Sequence, residues 1–573
     1  MNWCAGRRVG RLRRLTSAIA VAALSLGLAA CAPERPLATL GEIAAEAGDP
    51  GIVSAAGTSR DGQPIRTLEH GAPFDPARSE PRIVLVGGLD GNADSARIVS
   101  DAIYWFKREA SDVARSAWLV SGLPLAAPSN DGSLRSPDAF PPVDGYFDHA
   151  DRPGTRYVWR WVSYQAPDLV VEVRVGDDLQ VYSSADGDDL PPGSLAAALA
   201  DPASQPGLGP VDTLLVTARA PDGPEVMRAV LARAAASRST LRTNILDRMA
   251  RDPLEVARLM ARRYPGTASI GYIPALAWIH ALRVADMDDD ASVREKVMTD
   301  IQPWLSGEQV LFGDRVSYAA IAGTMIFSEI ARQSDDDVLR ESAERLAAEG
   351  VALAAAETSP GVGEHASGWS DDFYLGTIAS VRAGDPDGMA AAVRLVLATA
   401  ARLQQPNGLF HHDADAPVAW GRGNGFGALG LSELLTVLPD DHPDRADILD
   451  VHRRHLEGMR AQQAPDGMWR QIVDVPGSYR ETSVTAMTLT AMARGMRLGW
   501  LDDSYLPVVD RAWRALLAHV ADDGTLVDVC FSTGAGPTER YYLDRPAVNG
   551  ADDRGGAMVL GAALEYYDLT RNP

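Results

Sequence analysis

The sequence of 573 residues is poor in cysteine, with three in the whole chain. Cys4 lies in an N-terminal segment with the features of an export signal, and Cys31 directly follows that segment, which leaves Cys530 without an expected intramolecular partner. Disulfide bonds therefore cannot stabilise this fold, even in an oxidising compartment. The scarcity also disfavours a metal site built from cysteine and histidine. We expect neither a metal nor another cofactor.

The chain also lacks an excess of basic residues. Its formal net charge at pH 7 is -23, whereas nucleic acids and anionic membranes select basic protein surfaces. We therefore expect no nucleic-acid partner and no membrane binding by bulk electrostatic attraction. Any acidic ligand has to be held by a few local cations.

The apolar run AIAVAALSLGLAA near the N-terminus is too short to indicate a membrane span. A basic segment precedes it, and the two together are typical of an export signal over residues 1–30. The run ends in LAAC, which resembles the lipobox of bacterial lipoproteins. This resemblance implies that Cys31 becomes the lipidated first residue of a mature chain anchored in the bacterial cell envelope, and Ala32 after it resembles the sorting signal for the outer membrane. The alternative is a plain signal peptide with an incidental cysteine.

Length and composition indicate a folded protein of two or more domains, since 46% of the residues are hydrophobic and 23% are charged. Residues 31–78 are rich in alanine, glycine and proline, and we expect a tether there. Over residues 79–224, short apolar segments such as RIVLVGG and DLVVEVRVG alternate with helix-like ones. This alternation predicts an α/β domain with a mainly parallel sheet.

The pattern then becomes entirely helical. About thirteen segments with helical periodicity follow one another, separated by short polar or glycine-bearing turns. No exact repeat of fixed period occurs, which disfavours an open array. Nearly charge-free segments such as SVTAMTLTAMA and GAMVLGAALE fit the inner helices of a closed ring of helix pairs, because such helices are buried on several faces.

Polar and aromatic residues gather where several of these helices are expected to begin. The segment AWGRGNGFG sets Trp420, Arg422 and Asn424 among glycines, which allow the backbone to approach a ligand closely. A planar ring and fixed hydrogen-bond donors suit sugars and carboxylates. The segments GEHASGWSDDFYLG, GLFHHDAD and SYRETSVTAM carry further candidates. Each residue alone also has a structural interpretation, as a helix cap or a core aromatic.

The segments NGLFHHD, WGRGNGFGALGLSELL, GMWRQIVDVPGSYRETSVTAM and DGTLVDVCFSTGAGPTERYYLD resemble, in this order, the unsaturated rhamnogalacturonyl hydrolases of glycoside hydrolase family 105. Those enzymes are related to the unsaturated glucuronyl hydrolases. The resemblance covers residues 245–570 and implies an (α/α)6 barrel, here over residues 240–573. It also implies a hydrolase that removes a 4,5-unsaturated uronic acid from the non-reducing end of lyase-generated oligosaccharides.

The same resemblance assigns roles to individual residues. The segment WSDDFYL places Asp371 at the catalytic acid/base position, with Asp372 as the alternative, and Asp314 is the candidate for a second catalytic aspartate. Phe426 stands where the family usually has tryptophan, so stacking is retained but an indole donor is lost. The substrate-binding positions implied by the family are His365, Asp372, His412, Trp420, Arg422, Asn424 and Phe426.

Two other functional classes remain open from the sequence. One is a different (α/α)6 activity, such as an epimerase or a glycosidase with two carboxylates. The other is a surface lipoprotein that binds glycans without catalysis.

The segment RIVLVGGLDGNAD in the N-terminal region resembles the core of zinc carboxypeptidase-type domains. At the positions of the expected zinc ligands this chain has Asp90, Ala93 and Arg174. Arginine cannot ligate zinc, and alanine has no donor atom. The resemblance therefore implies a carboxypeptidase-like domain that has lost its metal.

Overall fold

The chain is described by a computed structural model over residues 39–46, 51–129, 140–142, 153–205, 207–288 and 290–571. The predicted export signal and Cys31 lie outside these ranges. In the described part of the chain, the helices are all too short or too polar to cross a lipid bilayer.

A mixed sheet of seven strands forms the centre of the N-terminal region. In chain order its strands are Ile52–Thr58 (β1), Pro64–Glu69 (β2), Arg82–Val86 (β3), Leu119–Leu123 (β4), Leu169–Val175 (β5), Gln180–Ser183 (β6) and Asp212–Ala218 (β7). They lie side by side in the order β1-β2-β4-β3-β5-β7-β6. The four strands β4, β3, β5 and β7 are mutually parallel, and β1, β2 and β6 pair antiparallel with their neighbours. The predicted α/β class is correct, but the sheet is mixed where the sequence predicted a mainly parallel one.

The hairpin of β1 and β2 lies within residues 31–78, where the sequence indicated a tether. Its two strands are joined by a short turn in which Gly62 has a positive φ of 88°, and so short a connection forces antiparallel pairing. Ile65 and Leu68 are buried. The hairpin was missed because alanine, glycine and threonine in β1 give a weak strand signal, while burial against the neighbouring elements decides the structure.

Six helices accompany the sheet in the described part of this region. They are Leu40–Ala45 (α1), Ala93–Glu109 (α2), Asp112–Ala117 (α3), Pro153–Tyr164 (α4), Leu195–Ala200 (α5) and Gly223–Arg233 (α6). Helices α2 and α6 pack together and bury one face of the sheet, with Ile98, Val99 and Val226 in that core. Helix α4 lies in a second core, which includes residues of the helical region.

The rest of the described chain is mainly helical. Its helices are Thr240–Met249 (α7), Pro253–Arg263 (α8), Tyr272–Asp288 (α9), Ala291–Leu305 (α10), Tyr318–Gly323 (α11), Met325–Gln333 (α12), Asp337–Ala355 (α13), Asp372–Leu375 (α14), Ile378–Ala383 (α15), Pro386–Leu403 (α16), Gly421–Val437 (α17), Arg445–Ala461 (α18), Thr482–Arg497 (α19), Leu506–Ala518 (α20), Glu539–Leu543 (α21) and Asp553–Arg571 (α22). Two small antiparallel pairs join Glu357–Ser359 (β8) to Val362–Gly363 (β9) and Leu526–Cys530 (β10) to Ala547–Gly550 (β11).

These helices form a closed double ring. The inner ring runs through α9, α11 with α12, α14 with α15, α17, α19 and α22, and α22 packs back against α9. The outer helices α8, α10, α13, α16, α18 and α20 each pack against inner ones. This arrangement is the predicted (α/α)6 barrel. Because an outer helix precedes every inner one, the inner helices all begin at the same end of the barrel.

The sheet region and the barrel share a continuous apolar core. Trp159 and Val162 of α4 cluster with Met468, Tyr479 and Ala515 of the barrel. From residue 39 onward, the described residues consequently form one compact unit. The structure therefore holds the hairpin β1–β2 and the barrel in a fixed relation.

Candidate active site

Polar side chains concentrate where the inner helices begin. A titratable or charged residue lies at or next to the first residue of five of them in the described chain: Tyr272 for α9, Asp371 for α14, Arg422 for α17, Glu481 for α19 and Asp552 for α22. Helix N-termini carry unpaired backbone N–H groups and a partial positive charge. This end of the barrel is therefore suited to an acidic ligand.

Asp371 lies immediately before α14, and its carboxylate does not cap that helix. Its Oδ2 atom is 3.3 Å from Nε2 of His412, although the two atoms are not aligned for a hydrogen bond. The backbone N–H of Ser370 donates to the His412 carbonyl at 2.8 Å, which holds the two segments together. The Asp371 side chain is 14% exposed, whereas the His412 side chain is fully buried. The structure thus brings together the predicted acid/base and a predicted binding residue.

Tyr542 sets the orientation of the His412 ring. Its hydroxyl oxygen lies 2.7 Å from His412 Nδ1 and accepts a hydrogen bond from the Gly536 N–H at 3.1 Å. Burial raises the pKa of Tyr542 to about 12, so the phenol keeps its proton. The hydroxyl proton is free to be donated to Nδ1, because its oxygen acts as acceptor for Gly536. In that arrangement the neutral His412 ring carries its own proton on Nε2, the nitrogen nearer to Asp371.

Two tryptophans flank the His412 ring. Trp369 packs edge-on at 5.1 Å between ring centroids, and Trp420 packs tilted at 4.5 Å. Trp420 is only 2% exposed. It therefore packs against His412 in the interior and offers little surface for the sugar stacking predicted from the sequence. Trp369 is partly exposed and is the better candidate for a sugar platform.

The environment of Asp372 differs from that of Asp371. It is buried, and it accepts hydrogen bonds from the Ser367 hydroxyl at 2.7 Å and the Gly368 N–H at 2.8 Å. Burial raises its pKa to about 6, partly offset by these hydrogen bonds, and the charge of Asp371 adds a smaller increase. Asp372 therefore shapes the loop that presents Asp371, and its oxygens are occupied by protein donors.

Arg422 is buried inside the barrel end, with its donors turned to protein groups. Its Nε donates to the Ser483 hydroxyl at 2.9 Å, its terminal nitrogen donates to the Cys530 carbonyl, and it lies 3.8 Å from Glu481. Glu481 also accepts from the N–H groups of Val484 at 2.7 Å and Cys530 at 2.8 Å. This cluster ties α17 to α19 and β10. Its geometry favours a structural role over the predicted contact with substrate.

Asn424 and Phe426 are also part of the interior. The Asn424 side chain accepts from the Phe410 N–H at 2.8 Å and donates to the carbonyls of Phe410 and Trp420 at 2.9 Å each. Phe426 packs against the rings of Tyr272 and Tyr374. Both residues are fully buried. This burial argues against the predicted contacts of both residues with substrate. The burial was not foreseen, because the sequence does not show which neighbours pack against a helix face.

The glycines around Arg422 serve close packing of protein segments. Helix α17 already begins at Gly421, so the predicted flexible stretch is helical. A Cβ atom at Gly423 would come within 2.3 Å of the Ser370 hydroxyl, and one at Gly425 within 2.7 Å of the Met487 sulfur. From the sequence we expected these glycines to let a sugar approach the backbone. In the structure they let neighbouring protein atoms approach it.

His365 and Asp314 are less closely connected to this site. The His365 ring lies edge-on to Tyr318 at 6.3 Å between centroids. Asp314 is exposed in the connection that leads into α11. Within the described contacts, no hydrogen bond or ion pair joins either residue to Asp371. The role of Asp314 as a second catalytic carboxylate stays a prediction.

Several residues at this barrel end were not singled out from the sequence. Tyr272 is partly exposed, and burial raises the pKa of its hydroxyl to about 12, with smaller opposing effects from Arg422 and Asp371. Phe531 is 50% exposed and carries the Arg554 guanidinium 4.9 Å from its ring centroid. The sequence signal for Tyr542 was its position in ERYYLD, which is part of a segment that resembles the family.

The residues at the expected zinc positions lie at neighbouring strand ends. Asp90 and Ala93 follow β3, and Arg174 lies near the end of β5, its parallel neighbour. The Arg174 Nε donates to Glu172 at 2.7 Å, and the Glu172 Oε2 accepts from the Ala196 N–H at 2.9 Å. Throughout the described ranges, no three histidine, cysteine, aspartate or glutamate side chains group in a way that would hold a metal ion.

Comparison with known proteins points to one family. A family model described as Glycosyl Hydrolase Family 88 matches residues 309–570. Protein Atu3128 from Agrobacterium fabrum is 30% identical over 222 residues, which cover 33% of this chain and 94% of that protein. The unsaturated 3S-rhamnoglycuronyl hydrolase of an Alteromonas species is 34% identical over 115 residues, which cover 20% of this chain and 28% of that enzyme.

A solved structure shares the barrel fold. The family 105 glycoside hydrolase from C. acetobutylicum superposes with a TM-score of 0.50 at 20% identity, over 55% of this chain and 99% of that one. The barrel described above is thus the fold of a known glycoside hydrolase.

Proposed function

Because this chain belongs to glycosyl hydrolase family 88, we propose that its barrel removes a 4,5-unsaturated uronic acid from the non-reducing end of oligosaccharides produced by a polysaccharide lyase. The observation that carries the proposal is the partly exposed carboxyl of Asp371, which lies 3.3 Å from a His412 ring that contacts the Tyr542 hydroxyl. The name of the Alteromonas relative, an unsaturated 3S-rhamnoglycuronyl hydrolase, supports the substrate class.

The proposed reaction begins with proton transfer. Protonated Asp371 donates its proton to C4 of the C4=C5 double bond, and positive charge develops at C5 and the ring oxygen. The carboxylate left on Asp371 faces the N–H at His412 Nε2, which stabilises that negative charge.

Water then completes the reaction. The Asp371 carboxylate removes a proton from a water molecule, whose oxygen forms a bond to C5. The resulting hemiketal opens by breaking the bond between C5 and the ring oxygen, which gives a ketone at C5. The hemiacetal that this leaves at C1 releases the rest of the oligosaccharide. One water is consumed and Asp371 recovers its proton, so a single carboxyl group serves as both acid and base.

The test is a spectroscopic assay with the full-length protein. Unsaturated oligosaccharides are prepared with lyases from pectin, ulvan and glycosaminoglycans, and the absorbance of the conjugated double bond is followed. We expect the absorbance to fall with at least one of these substrates. Binding without loss of the double bond would instead support the glycan-binding interpretation, and a new reducing end with the double bond intact would indicate an ordinary glycosidase.

For the N-terminal region we propose a carboxypeptidase-like fold without a metal. The support is the parallel centre of its sheet and the replacement of the expected ligands by Asp90, Ala93 and Arg174, of which Arg174 is engaged by Glu172. Elemental analysis of the full-length protein tests this. Stoichiometric zinc, retained after dialysis, would overturn it.

We further propose that the mature chain starts at Cys31 and is held in the bacterial cell envelope by a lipid on that cysteine. The support is the basic segment, the short apolar run and the LAAC sequence of the N-terminus. In this arrangement the α/β domain over residues 79–224 and the barrel over 240–573 would follow the anchor.

A further inference from the structure

A groove of about 720 Å³ lies beside the barrel end that carries Asp371. One wall is formed by strand β1 and its turn into β2, and the other by residues 475–477 and helix α21. Its volume is in the range of about 300–1,000 Å³ that is usual for small-molecule sites. We propose that this groove, called here the hairpin groove, binds acidic sugars on the reducing-end side of the oligosaccharide. This inference rests on the proposed function of the barrel.

The hairpin groove and the site share two chain segments. Helix α21 contributes Arg540 and Leu543 to the groove, while Tyr542 of the same helix contacts His412. Residues 475–477 line the groove a few positions before Glu481, which caps α19 at the site. A chain whose terminal sugar lies at Asp371 can therefore leave the barrel end beside the segments that form the groove.

The charges in the groove favour an acidic ligand. In a chain with a net charge of -23, the groove is lined by Arg60, Arg66 and Arg540 against Asp61 and Glu539. Arg540 donates to the backbone carbonyl of Arg60 at 2.8 Å and bonds to Asp544. Asp61 accepts from two serine hydroxyls.

Arg66 is the cation left for a ligand. Its side chain is exposed on β2, and across the described part of the chain it takes part in no hydrogen bond or ion pair. An arginine fork binds a carboxylate or sulfate through two parallel hydrogen bonds. Val53, Pro64 and Leu543 add apolar surface beside it, which suits the less polar faces of sugar rings.

The groove is rigid as well as charged. A Cβ atom at Gly477 would lie 2.0 Å from the Thr58 hydroxyl, so the barrel loop and the end of β1 are in close contact. Arg480 also donates to the Ala55 carbonyl at 3.4 Å. A groove held open in the free protein costs little ordering when a ligand enters.

Residues 53–66 lie outside the segment matched by the family, which begins at residue 309. One wall of the hairpin groove is therefore an addition by the N-terminal region. The consequence is a preference for longer, acidic substrates over the unsaturated disaccharide.

The first test compares the charge-reversal variant Arg66→Glu with wild type on two substrates, the unsaturated di- and hexasaccharides made by a lyase from polygalacturonate. We expect kcat/KM for the disaccharide to be unchanged and kcat/KM for the hexasaccharide to fall about fivefold, through KM, with the loss shrinking in high salt. Arg66→Lys keeps the positive charge but loses the fork, so its loss should be smaller than that of Arg66→Glu. Arg345→Glu is the matched control, since Arg345 is exposed on α13 and also takes part in no hydrogen bond or ion pair within the described residues. Equal effects on both substrates, or the same loss in the control, would overturn the proposal.

A second test is independent of catalysis. Saturated hexagalacturonate, which has no double bond to hydrate, is titrated into wild type and Arg66→Glu by calorimetry, with cellohexaose as the neutral comparison. We expect binding of the acidic hexamer, weakened about fivefold by Arg66→Glu, and weaker binding of the neutral one. Failure of the spectroscopic assay with intact, Arg66-dependent binding would remove the proposed function and keep the groove. Identical binding by wild type and variant would remove the groove.

Discussion

His412 lies between Asp371 and Tyr542, with one ring nitrogen 3.3 Å from the Asp371 carboxylate and the other 2.7 Å from the Tyr542 hydroxyl. The histidine thereby connects the proposed proton donor to Tyr542, which lies 130 positions after His412 in the chain. The variants below separate the chemical step from the packing around it.

Asp371→Asn should remove the proton donor while leaving the fold intact. The amide has nearly the same size but has no acidic proton, so kcat should fall by about 10²- to 10⁴-fold, the range typical of a lost general acid or base. Melting temperature should be nearly unchanged, because the carboxylate forms no helix cap. Nearly full activity of Asp371→Asn, together with loss of activity in Asp314→Asn, would move the proton donor to Asp314.

Tyr542→Phe should reduce turnover by disturbing the His412 ring. The variant removes the hydroxyl that contacts His412 Nδ1 at 2.7 Å, and it also leaves the Gly536 N–H without this acceptor. We expect kcat to fall about tenfold or more, with a smaller change in KM. The matched control is Tyr541→Phe, whose hydroxyl accepts from Gly534 and does not contact His412. Equal losses in both variants would indicate that α21 acts only by packing.

Asp372 should make stability depend on pH. Its pKa is about 6 in the folded chain, against an ordinary value of 3.8 for aspartate. Between these values the folded state binds more protons than the unfolded state. The contribution of Asp372 to the free energy of unfolding is therefore fully present below pH 3.8 and is lost as pH rises through about 6. The loss amounts to roughly 3 kcal/mol at most.

Asp372→Asn, which cannot ionise at this position, should therefore lack this pH-dependent part of the stability. The measurement is the melting temperature of both proteins across that pH range, and the advantage of wild type over the variant should shrink as pH rises. An unchanged difference between the two melting curves at every pH would contradict the shifted pKa.

Arg422→Ala should chiefly destabilise the protein. It leaves buried Glu481 without its cationic neighbour and the Cys530 carbonyl without a donor, and breaking a buried pair of this kind typically costs about 3–5 kcal/mol. Melting temperature should drop by several degrees, whereas Arg345→Ala, an exposed control, should leave it unchanged. An unchanged melting temperature with a KM increase confined to carboxylate-bearing substrates would restore the substrate-binding role predicted from the sequence.

Cys31→Ser should release the protein from membranes into the soluble fraction. The net charge of -23 disfavours attraction to anionic lipids, so a lipid on Cys31 would supply most of the membrane affinity. Fractionation of cells that express each form is the measurement. A variant that stays with the membranes would refute the lipid anchor.

The parts of the fold and site that could be predicted are those encoded in contiguous segments. The helical periodicity indicated the barrel, and the segments WSDDFYL and NGLFHHD pointed to Asp371 and His412, which the structure places side by side. The contact with Tyr542 could not be predicted, because it joins distant parts of the chain and no periodicity reports it.

The roles of Asn424 and the surrounding glycines could not be predicted for a related reason. Their functions depend on which atoms pack against α17, and close approach by Ser370 and Met487 favours glycine within a helix despite its low propensity. The hairpin β1–β2 was also missed, since its strand signal is weak and its stability comes from burial.

The apolar core shared by Trp159, Met468, Tyr479 and Ala515 has a consequence for how the chain can be divided. A truncated protein that started at residue 240 would present the barrel's half of this core to water, and exposed apolar patches of that kind promote aggregation. The sheet region therefore acts as a permanent cover for one side of the barrel, and expression of the catalytic half alone should yield insoluble material.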